Sequence, residues 1–154
     1  MGSSYRYILW FEECSKEALP MVGGKNANLG EMVNAGIRVP PGFAVTSGGF
    51  KRYMEAAGLW NLVRKRLSGV PSDDIKAVSR AGAGIREAIM STPIPDDIRA
   101  EIVSAYGLLC ERCGRSDLPV AVRSSATAED LAEASFAGQQ DTYLWICLLY
   151  TSDA

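Results

Sequence analysis

Residues 5–11 group aromatic and aliphatic side chains in a run too short for a stable helix, and predict a strand that opens the sheet. Beyond the polar stretch 12–16 the period changes. Leu29, Met32 and Val33 recur at helical spacing behind Val22-Gly23-Gly24-Lys25, which predicts a loop, then a short helix, with Gly36 as its left-handed stop. Pro40-Pro41-Gly42 breaks the chain, because each ring fixes φ and removes a donor, and Phe43-Ala44-Val45-Thr46 then runs extended as a second strand. Ser47 suits the N-cap of a helix whose apolar face is Phe50, Tyr53, Met54 and Ala57, with Gly58 ending it. Leu59, Leu62, Val63 and Leu67 add another turn or two.

From Ser72 the apolar positions Ile75, Val78, Ile85 and Ile89 return every three or four residues, with Gly82 in the same row, so an amphipathic helix is expected. Pro95 followed by Asp96 and Asp97 starts a second long helix. Its buried stripe is Ile98, Ile102, Ala105, Tyr106 and Leu109, down to Gly114. Leu118-Pro119-Val120-Ala121-Val122 reads as a buried strand that delivers Arg123, Ser124 and Ser125 at its end. Ser135-Phe136-Ala137-Gly138 reads as a small-residue loop, and Thr142-Tyr143-Leu144-Trp145-Ile146 as the returning strand. Strands and helices mixed in this way predict an α/β (α+β) fold.

Composition bounds the picture. At 154 residues, 47% of them hydrophobic, the chain supports one core and disorder over most of it is not expected. A net charge of -2 leaves no broad attraction for nucleic acid or an anionic membrane, so any phosphate site has to be local. The longest apolar run, residues 143–150, falls far short of the roughly 20 residues of a spanning helix. Residues 1–13 carry no apolar segment with a small-residue cleavage site, so a cytoplasmic location is expected. Cys110 and Cys113 have the C-x-x-C spacing of redox and zinc sites. With no histidine in the chain and Cys14 and Cys147 isolated, the pair reads as structural rather than as metal or redox chemistry.

Candidate chemistry gathers at three places. Gly23-Gly24-Lys25 offers backbone N–H groups, a helix entrance and a cation, which together suit an anion. It departs from the Walker A pattern, with Leu19 at the first glycine position and Asn26 after the lysine, and a plain turn with a solvated lysine is the alternative. Arg123 at a strand end beside two hydroxyls matches phosphate oxygens, the alternative being an ion pair with Glu129 or Asp130. The loop ending at Gly138 lets backbone amides approach a phosphate, or is simply a tight turn. Absence of histidine rules out a Ser-His-Asp triad and a phosphohistidine within the chain. Glu129, Asp130 and Glu133 read as a solvated acidic face, so no metal ligand is assigned.

Three runs taken in order carry a family resemblance: residues 22–32 (VGGKNANLGEM), residues 39–46 (VPPGFAVT) and residues 122–130 (VRSSATAED), continued by residues 133–144 (EASFAGQQDTYL). Together they resemble the amino-terminal nucleotide-binding domain shared by phosphoenolpyruvate synthase, pyruvate phosphate dikinase and rifampicin phosphotransferase. The resemblance covers about residues 5–146, giving a partial domain over 1–146 and a tail, 147–154, unlike the family; a truncated reading frame with a foreign tail is the expectation there. Ala132 stands where relatives often have proline, which loosens the loop before Ser135 without removing a ligand.

The resemblance implies an ATP-grasp fold, with ATP contacted by Lys25, Arg123, Gly138 and Thr142, and Arg123 also acting on the transition state. It implies Mg2+, held by residues outside this chain, and a swivelling histidine domain that relays phosphate to pyruvate. The context of Asn26 and Gln139-Gln140 favours the synthase, which converts ATP, pyruvate and water to AMP, phosphoenolpyruvate and phosphate. Rifampicin phosphotransferase and pyruvate phosphate dikinase remain alternatives, as does a nucleotide-binding module with no turnover of its own. ATP is the expected partner, with pyruvate reached through other domains.

Overall fold

The computed structural model describes residues 6–127 and 141–147. Its first strand, β1 (Ile8–Trp10), pairs antiparallel with β2 (Phe43–Val45) in the register Ile8–Val45, Leu9–Ala44 and Trp10–Phe43. Side chains alternate across a strand, and that alternation divides the core in two. Leu9 and Ala44 pack on one face with Cys14, Ala18, Val22 and Ala27. Ile8, Trp10 and Phe43 face the other side, where Ala105 and Leu109 meet them. Trp10 and Phe43 meet edge to face at 5.5 Å, and the Arg112 guanidinium lies 3.8 Å over the Trp10 ring while pairing with Glu12 at 3.2 Å.

Helix α1 (Leu19–Asn34) covers the first face and α5 (Asp96–Arg112) the second. Two short 3-10 turns, Phe11–Glu13 and Lys16–Ala18, carry the chain from β1 to α1. Close approach there depends on Gly30, where a Cβ would overlap the Cys14 carbonyl oxygen and come 2.7 Å from Cys14 Cβ. On the other face the Glu101 carboxylate accepts the backbone N–H groups of Arg6 (3.0 Å) and Tyr7 (2.7 Å), tying the entry of β1 to α5. Of the expected stripe, Ile98, Ala105, Tyr106 and Leu109 are buried, and Ile102 is half-buried against the cluster that holds Ala105 and Leu109.

Helices α2 (Ser47–Ala56), α3 (Leu59–Leu67) and α4 (Ile75–Ser91) complete the helical part. Thr46, rather than Ser47, is the N-cap of α2: its hydroxyl accepts from Gly49 N, and Ser47, already helical, donates its hydroxyl to Pro20 O at 3.1 Å. Gly36 and Gly58 take positive φ, as the stop signals anticipate. Helix α3 is longer than the turn or two expected. No member of the apolar row expected of α4 is fully buried: Ile75 (82%) and Val78 are exposed, Ile85 and Ile89 are half-buried, and the buried residue is Ala81, outside that row. Among the described residues no helix is long and apolar enough to cross a membrane.

A second antiparallel ribbon joins β3 (Val120–Arg123) to β4 (Thr142–Ile146). Val120 opposes Ile146 and Val122 opposes Tyr143, so β4 holds one residue more between the pairs, a bulge at which Trp145 adopts φ 60°. The strand expected to be buried is not: Val120 is half-buried against the α5 cluster, whereas Val122 is exposed. Hydrophobicity marked a strand here, but no described layer covers its outer positions. The described residues thus form an α+β arrangement of helices and small sheets.

Candidate functional site

Gly23 interrupts α1 with φ 77° and ψ 165°, a conformation open essentially to glycine alone. The expected loop is therefore a one-residue break, preceded by a helical turn from Leu19 and followed by the helix that runs to Asn34. Asn26 closes the gap by donating its side-chain amide to Val22 O at 2.8 Å. In sequence Asn26 registers as a departure from Walker A and as part of the family run, not as a partner of the backbone. Its backbone role depends on where the break falls, which two adjacent glycines leave undecided.

The break docks on the segment that leaves β3. Gly24 N donates to Ala126 O at 3.3 Å, and the Lys25 ammonium lies 3.5 Å from Ser124 O. A Cβ on Gly23 would overlap Ser125 Oγ and come 2.9 Å from Ala126 O, so contact between the two segments requires the missing side chain. Ser124 in turn donates its N–H (3.2 Å) and hydroxyl (3.3 Å) to Asp141 O, which fixes the segment to the start of β4. Ser125 Oγ is buried and makes no hydrogen bond among the described residues.

Arg123 pairs with Thr142 across the ribbon. Lys25, Arg123 and Thr142, assigned from sequence to one site, thus share one neighbourhood: Lys25 reaches the residue after Arg123, and Thr142 stands opposite Arg123. Gly138 lies outside the described residues, as do Glu129 and Asp130, the alternative ion-pair partners of Arg123. Arg123 and Thr142 are exposed and Lys25 is half-buried. Two cations, backbone N–H groups at a glycine break and hydroxyls form a donor set that suits a polyanion rather than a metal ion. Among the described residues no group of three His, Cys, Asp or Glu side chains gathers that could hold a metal ion.

Cys110 is buried and Cys113 half-buried, and both are free thiols. Burial, with the Asp117 carboxylate and Cys110 nearby, raises the pKa of Cys147. An apolar groove of about 510 Å³ lies elsewhere, between α2 and the ends of α4 and α5, with Phe50, Tyr53, Met90 and Ile98 in its wall. It presents no cation to a phosphate.

The chain is similar to known proteins over most of its length. The model of the pyruvate phosphate dikinase AMP/ATP-binding domain matches residues 19–149. A probable phosphoenolpyruvate synthase of Methanocaldococcus jannaschii is 49% identical over 143 residues, covering 93% of this chain and 12% of the relative. The phosphoenolpyruvate synthase of Synechocystis is 46% identical, covering 89% of this chain and 18% of the relative. That of Neisseria meningitidis is 43% identical, covering 90% and 18%. The chain spans less than a fifth of the length of each of these relatives. Matched over most of its length, with the glycine break and the post-β3 segment both inside the match, the chain belongs to the family of the pyruvate phosphate dikinase AMP/ATP-binding domain.

Proposed function

We propose that this chain is the phosphate-binding part of an ATP-grasp nucleotide site in a phosphotransferase that resembles phosphoenolpyruvate synthase. The observation that carries the reading is the docking of Gly23-Gly24-Lys25 on Ser124-Ser125-Ala126, which brings a lysine ammonium against the residue next to Arg123. Lys25, Arg123 and Thr142 then face the nucleotide phosphates, with Gly138 supplying a backbone amide. Phosphoryl transfer needs positioning and charge neutralisation more than a side-chain nucleophile, and a fixed guanidinium meets that need as charge moves onto the phosphate oxygens. Mg2+ would offset further charge on the phosphates, held by residues outside this chain.

The names of the relatives favour phosphoenolpyruvate as a product and pyruvate as the final acceptor; the resemblance adds AMP and phosphate as the other products. With no histidine among its 154 residues, the chain cannot itself carry the phosphohistidine of such a relay. Alone it is therefore expected to bind ATP and to form no AMP from ATP and pyruvate. Thermal denaturation with and without ATP tests the reading. ATP should raise the midpoint of the 154-residue chain, and the Lys25→Ala, Arg123→Ala double variant should lose the rise. An unchanged midpoint for the parent at millimolar ATP overturns it.

A further inference from the structure

Ser125 presents a puzzle of accounting. A buried hydroxyl without a partner destabilises a folded chain by roughly 1–3 kcal/mol, so native structures hold few of them. Ser125 Oγ is one, and it lies against the bare Cα of Gly23; along the chain Ser125 is two residues from Arg123, and Gly23 two residues from Lys25. Two of the bonds across it, Gly24 N to Ala126 O at 3.3 Å and Lys25 Nζ to Ser124 O at 3.5 Å, are long. Both donors are of the kind a phosphate takes more strongly than a carbonyl does, since a bond to a charged acceptor is about twice as strong.

We infer that Ser125 is a further phosphate ligand, its hydroxyl covered by the glycine break when the site is empty and uncovered as Gly24 N–H and Lys25 turn from the Ser124 and Ala126 carbonyls to phosphate oxygens. Glycine at 23 serves both states: it leaves room for the hydroxyl, and its backbone pivots where a side chain would not. The inference rests on the nucleotide reading above and adds a residue to it.

Ser125→Ala in the 154-residue chain is the test, because it deletes the hydroxyl and adds no volume. Calorimetric titration with ATP and with inorganic tripolyphosphate should each show the dissociation constant rising about ten-fold, the loss expected of one charge-assisted hydrogen bond. The thermal midpoint of the empty variant should equal or exceed that of the parent. Affinity and stability therefore move in opposite senses, which a merely structural serine would not produce. Unchanged affinity for both probes overturns the inference and leaves the nucleotide reading standing. So does a loss for ATP alone, or a loss accompanied by a lower midpoint. A parent chain that binds neither probe instead overturns the nucleotide reading, and this inference with it.

Discussion

The ammonium of Lys25 lies 3.5 Å from the carbonyl oxygen of Ser124, a residue 99 positions further along the chain. That contact sets Lys25 against the residue that follows Arg123, and under the proposed function the two cations share one phosphate chain and should not act independently. In an enzyme of the proposed kind that carries this segment, Arg123→Ala is expected to lower kcat/KM for ATP by about 10²–10³-fold, roughly 2.7–4 kcal/mol of transition-state stabilisation, the range for loss of one such donor. Lys25→Ala should fall in the same range. The double variant should lose less than the sum, because each cation's contribution depends on the other's hold on the phosphate. Steady-state kinetics of the four proteins measures the coupling; strict additivity would separate the two residues into independent sites.

Gly23→Ala should cost the chain more than an ordinary glycine substitution. The φ of 77° and ψ of 165° are strained for any side chain, by about 1–3 kcal/mol, and the new Cβ would in addition overlap Ser125 Oγ. Gly36→Ala is the matched control, since φ is 76° there but nothing lies within 4 Å of the added carbon. Urea denaturation should place the Gly23 variant below the Gly36 variant. Equal midpoints would mean that the break does not dock on the post-β3 segment.

Much of the fold is legible in the sequence because local rules agree with one another. The strand of residues 43–45 lies between a proline break and a helix cap, and Gly36 and Gly58 mark helix ends through backbone freedom alone. The stripe from Ile98 to Leu109 is correct because one helical face meets one core. The misses share a different cause. Whether Thr46 or Ser47 caps α2 depends on where β2 releases the chain, and both carry a hydroxyl. Val122 has the composition of a buried strand, but burial depends on a covering layer that the strand itself does not encode. At the site, the residue types of Lys25 and Arg123 signal an anion. The buried hydroxyl of Ser125 arises only from a contact across most of the chain, which no local pattern records.

Gly30→Ala isolates packing from backbone strain. Gly30 is an ordinary helical residue, and on propensity alone alanine should stabilise α1 by about 0.5–1 kcal/mol. The added carbon would overlap the Cys14 carbonyl, which belongs to the backbone and cannot swing aside. The contact therefore outweighs propensity, and a net loss of roughly 1–3 kcal/mol is expected. Chemical denaturation decides the sign: a stabilised variant would show that α1 does not press on the turn at Cys14.

Cys14 gives the fold a pH dependence on the alkaline side. Its side chain is fully buried and donates to Trp10 O at 3.3 Å. Burial, reinforced by the charges of Glu13 and Glu12, pushes the thiol from its ordinary value of 9.0 up to about 11. The folded chain therefore keeps a proton that the unfolded chain releases. This contribution is fully present below about pH 9 and is lost as pH rises from 9 toward 11, because in that window the unfolded state binds fewer protons. Lysines and tyrosines titrate in the same range, so the informative quantity is a difference. Stability measured by urea at several pH values across the window should fall more steeply for the parent than for Cys14→Ala, although the variant is less stable throughout for want of the buried sulfur. Identical slopes would place the thiol in contact with solvent and remove it from the core between β1 and α1.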